Sequence, residues 1–316
     1  MQGYTQRIRE AAKRLLAEKK VDVVMGFRKG TIPFMNEPFL AKSPEQVDQL
    51  LWDGNCGINL ANYLSGRKDR IGIVAKGCDS RNIVVHLLEY QIKREQLYIL
   101  GAPCHGMIDG RRITEELAGK EPLQVEEENG RIRVSGKGFE ESFDRKQYLQ
   151  ENCAICMHRN PVVYDELVGD LVEEQRDVDR YADVREVEGL SPEAKWKYFE
   201  DLIAPCIRCY ACRNACPVCY CPTCFVDESR PQWVGKTVDP TDTRTFHFLR
   251  AYHVAGRCTD CGACERACPV GIKMRQFTKK LEKDIKEMYG YEAGVDPESR
   301  PPLDTYRPDD PRDFAK

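Results

Sequence analysis

The sequence predicts an α/β N-terminal domain built around a parallel βαβ unit, followed by a mostly α-helical, cysteine-rich C-terminal domain. Three observations lead there. Strand, turn, helix and strand signals follow one another between Ile71 and Leu100; the 316-residue length exceeds the usual single-domain size; and eleven of the sixteen cysteines lie between Cys206 and Cys268. We set the boundaries at residues 1–187, 188–294 and 295–316, the last a Pro-rich extended tail.

In the first domain, Thr5–Lys20 places Ile8, Ala12, Leu15 and Leu16 at helical spacing, and Val21–Met25 reads as a strand. Ser43-Pro44-Glu45-Gln46 combines an N-cap, a proline at the first helical position and a capping-box glutamine, which predicts a helix through Leu51. The βαβ unit comprises strand Ile71–Ala75, a turn over Lys76-Gly77-Cys78-Asp79-Ser80, a helix from Arg81 to about Gln91, and strand Leu97–Leu100. Leu117–Phe143 is polar, with Ile132 and Val134 alternating as in a short exposed hairpin. Glu173–Glu188 intersperses charges of both signs and reads as a solvated linker or helix. Ser191-Pro192 caps another helix, and the chain is expected to be mostly helical from Cys206 to Glu287. The tail holds five prolines among charged residues and cannot form a core, so it is expected to be disordered or to wrap a partner.

The balance of 48 basic and 51 acidic residues gives a formal net charge of -3, without the basic excess of a nucleic-acid-binding protein. No apolar run has the length of a transmembrane segment, and Met1–Lys20 lacks the apolar centre of a signal peptide, so a cytoplasmic chain is expected. In that setting, sixteen thiols read as metal ligands rather than disulfide partners.

Cys206-x-x-Cys209-x-x-Cys212-x-x-x-Cys216-Pro217 is followed by Cys258-x-x-Cys261-x-x-Cys264-x-x-x-Cys268-Pro269. In a run of this kind three thiolates reach one cubane and the fourth cysteine serves its neighbour. The expected sets are therefore Cys206, Cys209, Cys212 and Cys268 for one 4Fe-4S cluster, and Cys258, Cys261, Cys264 and Cys216 for a second. Structural zinc is the competing use of four-thiolate sets, but two copies of the spacing, each with a proline after its fourth cysteine, favour iron–sulfur clusters. The aromatics Trp233, Phe246, Phe248 and Tyr252, with His247 and His253, are read as packing around the clusters. Cys219, Cys221 and Cys224 are one thiol short of a cubane and stay open between buried hydrophobes, a substitute ligand and part of an extra site.

A third 4Fe-4S cluster is expected at Cys78, Cys104, Cys153 and Cys156. Cys78 and Cys104 follow consecutive strands of the βαβ unit, which places both at the carboxyl edge of a parallel sheet, where such sheets bind ligands. Free N–H groups at the helix start would favour an anionic cluster there. Cys153-x-x-Cys156 is the remaining close pair in this half, with Cys56 as the reserve ligand. The bland alternative is that Cys78 and Cys104 are ordinary buried thiols.

Between about residues 71 and 170 stand Lys76-Gly77-Cys78-Asp79-Ser80-Arg81, Gln91-Ile92-Lys93-Arg94-Glu95, Leu100-Gly101-Ala102-Pro103-Cys104-His105-Gly106, and Cys153-x-x-Cys156 with Pro161, Asp165 and Gly169. In these motifs the stretch resembles the β-subunit family of deazaflavin-linked hydrogenases and formate dehydrogenases. The C-terminal half is similar to the dicluster ferredoxin modules of heterodisulfide-reductase-linked complexes. The resemblance implies a 4Fe-4S cluster and FAD, and electron transfer between a soluble hydride carrier and a partner enzyme. No G-x-G-x-x-G fingerprint supports the FAD, and Gly26-Phe27-Arg28-Lys29-Gly30 is too weak to replace one.

The expected function is that of an iron–sulfur electron-transfer subunit in an anaerobic oxidoreductase complex of the formate dehydrogenase, hydrogenase or heterodisulfide reductase kind. Its expected partners are a catalytic dehydrogenase or hydrogenase subunit and a heterodisulfide-reductase-like flavoprotein. One alternative is a flavin-containing subunit that itself exchanges hydride with a soluble carrier; another is a non-redox binding protein stapled by metal.

Overall fold

The computed structural model describes residues 3–305. Two compact units divide the chain between Val178 and Asp179, whereas the sequence reading set that boundary after residue 187; residues 61–65 and 81–91 group with the second unit.

In the first unit, helix α1 (Tyr4–Ala17) buries Tyr4, Ile8, Ala11, Ala12 and Leu15 on one face, the spacing an amphipathic helix requires. Strand β1 (Val23–Lys29) extends beyond the expected Met25 and pairs antiparallel with β2 (Asn36–Ala41). Gly26–Gly30 therefore forms strand and hairpin rather than a phosphate loop. A Cβ on Gly30 would lie 2.1 Å from the Met35 carbonyl oxygen, so this approach admits only glycine. Helix α2 (Pro44–Val47) is a single turn and does not reach Leu51. The Leu51 N–H instead donates to the Phe27 carbonyl (2.8 Å) in a bridge to β1, which fixes that residue as extended chain.

Strand β3 (Ile71–Ala75), buried throughout, leads into α3 (Gly77–Leu88) and then β4 (Leu97–Gly101), parallel to β3 from Ile71↔Leu97 to Ala75↔Gly101. The expected turn over Lys76–Ser80 is largely the first turn of α3. Asp79 turns back to accept from the Lys76 backbone N–H (3.1 Å) and its ammonium (2.8 Å), an N-terminal cap that starts the helix four residues early.

Helix α4 (Gly110–Glu116) precedes a three-stranded antiparallel sheet, β5 (Pro122–Glu128), β6 (Arg131–Gly136) and β7 (Phe139–Asp144). This corrects the exposed hairpin. Ile132, Val134 and Phe143 are buried with Ile108, Ile113, Leu117 and Tyr148 in a core of their own. After α5 (Glu151–Ala154), the short β8 (Glu166–Leu167) completes a five-stranded sheet of order β2-β1-β3-β4-β8, in which only the β1–β2 pair is antiparallel.

The second unit is helical: α6 (Ala182–Glu188), α7 (Pro192–Ile203), α8 (Ala211–Asn214), α9 (Pro240–His253), α10 (Ala263–Ala267) and α11 (Arg275–Tyr289). Ser191 Oγ accepts from the Ala194 N–H to cap α7, and Asp239 caps α9 from Thr241, each ahead of a proline at the first helical position. Between Ala215 and Asp239 the chain is irregular, which narrows the expected helical run. Helix α9 packs on α7 and α11, and α8 on α10. The start of the tail folds onto this unit: Pro301 is buried, and the Arg300 guanidinium donates to the Leu88 carbonyl (3.0 Å). The tail expectation for residues 306–316 lies outside the described residues. Among the described residues no helix is long and apolar enough to cross a membrane.

Candidate functional site

The two C-terminal cysteine runs share left-handed backbone at matched positions. In Cys206-Ile207-Arg208-Cys209-Tyr210-Ala211-Cys212, Arg208 and Tyr210 have φ of 55° and 60°; in Cys258-Thr259-Asp260-Cys261-Gly262-Ala263-Cys264, Asp260 and Gly262 have φ of 54° and 70°. Left-handed backbone costs a non-glycine residue about 1–2 kcal/mol, and it recurs here at matched positions. Such strain collects where a loop is shaped for a ligand. Each loop then enters a short helix, α8 after Tyr210 and α10 after Gly262.

The sulfurs mix across the runs. Burial pushes the Cys206 thiol up, and Cys268 and Cys209 add to the effect; burial also raises Cys212, with Cys206 and Cys268 adding. Cys268, from the second run, thus neighbours Cys206 and Cys212 of the first. Conversely, Cys258 is raised well above its ordinary value by burial, with Cys261 and Cys216 contributing. Cys264 is pushed up to about 12 by burial, with Cys216 and Cys261 again contributing. Backbone N–H groups point at sulfur, Arg208 to Cys206 (3.4 Å) and Ile272 to Cys268 (3.3 Å). All sixteen cysteines are free thiols. Among the described residues, no three His, Cys, Asp or Glu side chains are arranged to hold a single metal ion.

Two residues that the sequence reading treated as packing or passed over lie beside these sulfurs. His247 Nε2 is 3.2 Å from Cys206 Sγ. Burial, with Arg250 and Arg208 adding, brings its pKa down to about 4, so the ring is neutral. Arg250, 5% exposed, donates to the Cys212 carbonyl (3.1 Å). Burial opposes its charge, and Cys216, Cys264, Cys212 and Cys219, as thiolates, favour it. The available signal was an arginine on the buried stripe of α9 with Phe246, His247 and Ala251.

Cys219, Cys221 and Cys224 are dispersed. Cys219 hydrogen-bonds Cys216 and packs against the Val218 and Ile285 cluster; Cys224 packs against the Phe246 and Ile272 cluster; and Cys221 is exposed.

In the first unit, Cys78 lies in the first turn of α3, and Cys104 follows β4, both at the carboxyl edge of the parallel β3–β4 pair. Burial pushes Cys104 up to about 12, with Cys153 and Cys156 contributing and Lys76 opposing. The buried Lys76 ammonium, paired with Asp79, also feels Cys78 and Cys104. The Gly106 N–H donates to Cys104 Sγ (3.3 Å), and Arg159 accepts from the Cys104 N–H (2.9 Å). The expected solvated linker or helix is helical from Ala182, while its first residues are fastened here: Gln175 donates to the Cys156 carbonyl (2.9 Å), and Glu174 accepts from the Asn160 N–H (3.0 Å). Cys56, by contrast, is fully buried and accepts from the Asn36 amide (3.4 Å), as a core thiol does.

Residues 203–272 match the 4Fe-4S dicluster domain. Over 92% of its length the chain is 26% identical to the F420-dependent formate dehydrogenase subunit beta of Methanocaldococcus jannaschii, covering 92% of that protein. The chain resembles the F420-linked β-subunit family. A second relative from that family, the F420-dependent formate dehydrogenase 1 subunit beta of Methanococcus maripaludis, is 24% identical over 92% of this chain and 91% of its own length. Among solved structures, a chain of the xenon-derivatised F420-reducing NiFe hydrogenase complex from Methanosarcina barkeri aligns at a TM-score of 0.37 and 16% identity, covering 49% of this chain and 58% of that one.

Proposed function

We propose that the chain is an iron–sulfur electron-transfer subunit of an oxidoreductase complex, holding three 4Fe-4S clusters. Cys206, Cys209, Cys212 and Cys268 hold one; Cys258, Cys261, Cys264 and Cys216 hold the second; Cys78, Cys104, Cys153 and Cys156 hold the third. The observation that carries the reading is the pair of cysteine loops with matched left-handed backbone, each joined by the fourth cysteine of the other run. The donor set fits the group: free thiols, all but the exposed Cys209 at least half-buried, with N–H groups aimed at sulfur. Bound clusters supply one-electron transfer, while the chain's own residues fix their ligation, spacing and surrounding charge.

The names of the relatives point to F420 as the soluble carrier and to a formate dehydrogenase catalytic subunit as the partner. Exchange with a hydride carrier moves two electrons at once, so it needs a flavin in this chain or in a partner. FAD in this chain is the second reading, favoured by the resemblance to F420-dependent β subunits along nearly the whole chain.

Anaerobic purification of the full chain should yield about 12 irons and as many labile sulfides, with brown absorbance bleached by dithionite. Zinc in place of iron would sink the proposal. A released yellow cofactor with flavin absorbance would establish the second reading.

A further inference from the structure

Helix α9 contributes no cysteine, yet its buried face is aimed at both cysteine runs. His247 Nε2 lies 3.2 Å from Cys206 Sγ. One turn further on, Arg250 donates through Nη2 to the Cys212 carbonyl (3.1 Å) and places Nη1 3.8 Å from the Met274 sulfur; its Nε has no acceptor among the described residues. A guanidinium with this little exposure is expensive to bury without an anion beside it. The groups facing it are sulfurs, from Cys216 and Cys264 of one ligand set, Cys212 of the other, and Cys219. As thiols these give little compensation; as thiolates on an anionic cluster they give a great deal. The contact at His247 has the same logic. Once Cys206 is a thiolate it has no proton to give, so a hydrogen bond across that distance requires Nε2–H as the donor.

We propose that α9 sets the reduction potentials of the two C-terminal clusters, with His247 acting on the Cys206 site alone and Arg250 as a positive charge shared by both. This rests on the ligand sets proposed above. Reduction adds one electron to a cluster, so an N–H dipole or a fixed cation beside its sulfurs stabilises the reduced form and raises its potential. Both residues are positioning residues, since they act through the cysteines.

The test is a redox titration of the full, anaerobically purified chain followed by electron paramagnetic resonance. The Cys206 site is identified as the signal that Cys206→Ser alters. In His247→Phe, the reduced-to-oxidised ratio of the Cys206 site at a fixed potential should fall about tenfold, equivalent to about 59 mV for a one-electron couple, while the Cys258 site stays put. His247→Gln, which retains a side-chain N–H, should recover part of that fall. Arg250→Gln should lower both sites and Arg250→Lys should restore both. The inference is overturned if, at full iron content, His247→Phe moves neither site or moves both equally. Should His247→Phe lose iron, the Arg250 pair decides: both sites lowered by Gln and restored by Lys supports the assignment, and any other pattern overturns it. A wild-type chain that binds no iron would instead refute the ligation reading itself, and this inference with it.

Discussion

Replacing Arg275 with methionine should destabilise the second unit far more than losing a surface ion pair would. Arg275 opens α11 with its side chain buried; Nε donates to Asp260 Oδ1 (2.5 Å) and Nη2 to Oδ2 (2.8 Å), a bidentate pair. The same guanidinium lies 3.4 Å from Glu265, whose carboxylate accepts from the Arg275 N–H (2.9 Å). Burial alone would raise the Asp260 carboxyl, but Arg275 overrides it and holds the group below the usual carboxylate range. Asp260 also occupies the left-handed position between Cys258 and Cys261, so the pair braces that loop. Arg275→Met removes the bidentate partner of a buried carboxylate, which costs about 3–5 kcal/mol, a shift in the folding equilibrium of at least about a hundredfold. Asp260→Asn with Arg275→Met removes one of the two carboxylates left behind, Glu265 being the other, and should recover part of the loss, since a buried pair often contributes little net. Denaturant midpoints read by circular dichroism, with iron counted per chain, measure both. If the single variant lost less than about 1 kcal/mol, as an exposed pair would, or if the double variant were no milder, the charge argument would be wrong.

Three further outcomes are expected. Cys216→Ala should alter the cluster signal of the Cys258 site, and Cys268→Ala that of the Cys206 site, each at a loss of about four irons; resonance spectra in which each variant disturbed only its own run would disprove the exchange. Gly77→Ala would set a Cβ 2.1 Å from the His158 carbonyl oxygen, forcing the start of α3 away from the loop that follows Cys156. Iron should fall by about four with both C-terminal signals intact, and full iron content would count against the N-terminal ligand set. Cys56→Ala, at a fully buried thiol, should lower the melting temperature while leaving iron unchanged, and iron loss would restore Cys56 as a ligand.

The parts legible in the sequence were those that local chemistry dictates. The apolar stripe of α1, the βαβ unit and the proline-led caps at Ser191 and Pro192 follow from periodicity and from N–H groups needing acceptors. What was misread turns on contacts distant in sequence. The Ser43 cap announces a helix, but the Phe27 carbonyl claims the Leu51 N–H and limits α2 to one turn. Lys76–Ser80 is the exception, misread although its cap is local: the Asp79 carboxylate accepts from the Lys76 N–H three residues back and starts the helix there. Ile132 and Val134 looked exposed because the residues that cover them, Ile113 and Leu117, precede a polar stretch. Arg250 went unread because a charged residue in an α9 rich in polar side chains gives no sign of burial until its sulfur neighbours are known.

The assignment of residues 61–65 and 81–91 to the second unit means that the polypeptide passes from one unit to the other five times, at 60/61, 65/66, 80/81, 91/92 and 178/179. On the ribosome, the segment Arg81–Gln91 emerges long before what it must join: the Arg81 guanidinium waits for the Ala293 carbonyl (2.7 Å), and Asn82 for Thr259 (2.8 Å). Closing contacts over such loops is slow, and the half-made chain leaves Val84 and Val85, fully buried in the finished fold, without cover. A gene cut at 178/179 would therefore leave the first fragment whole and the second unit without residues 61–65 and 81–91, which stay on the first fragment. Co-expressed halves should assemble only when the break falls at 178/179, the one crossing after which the chain does not return.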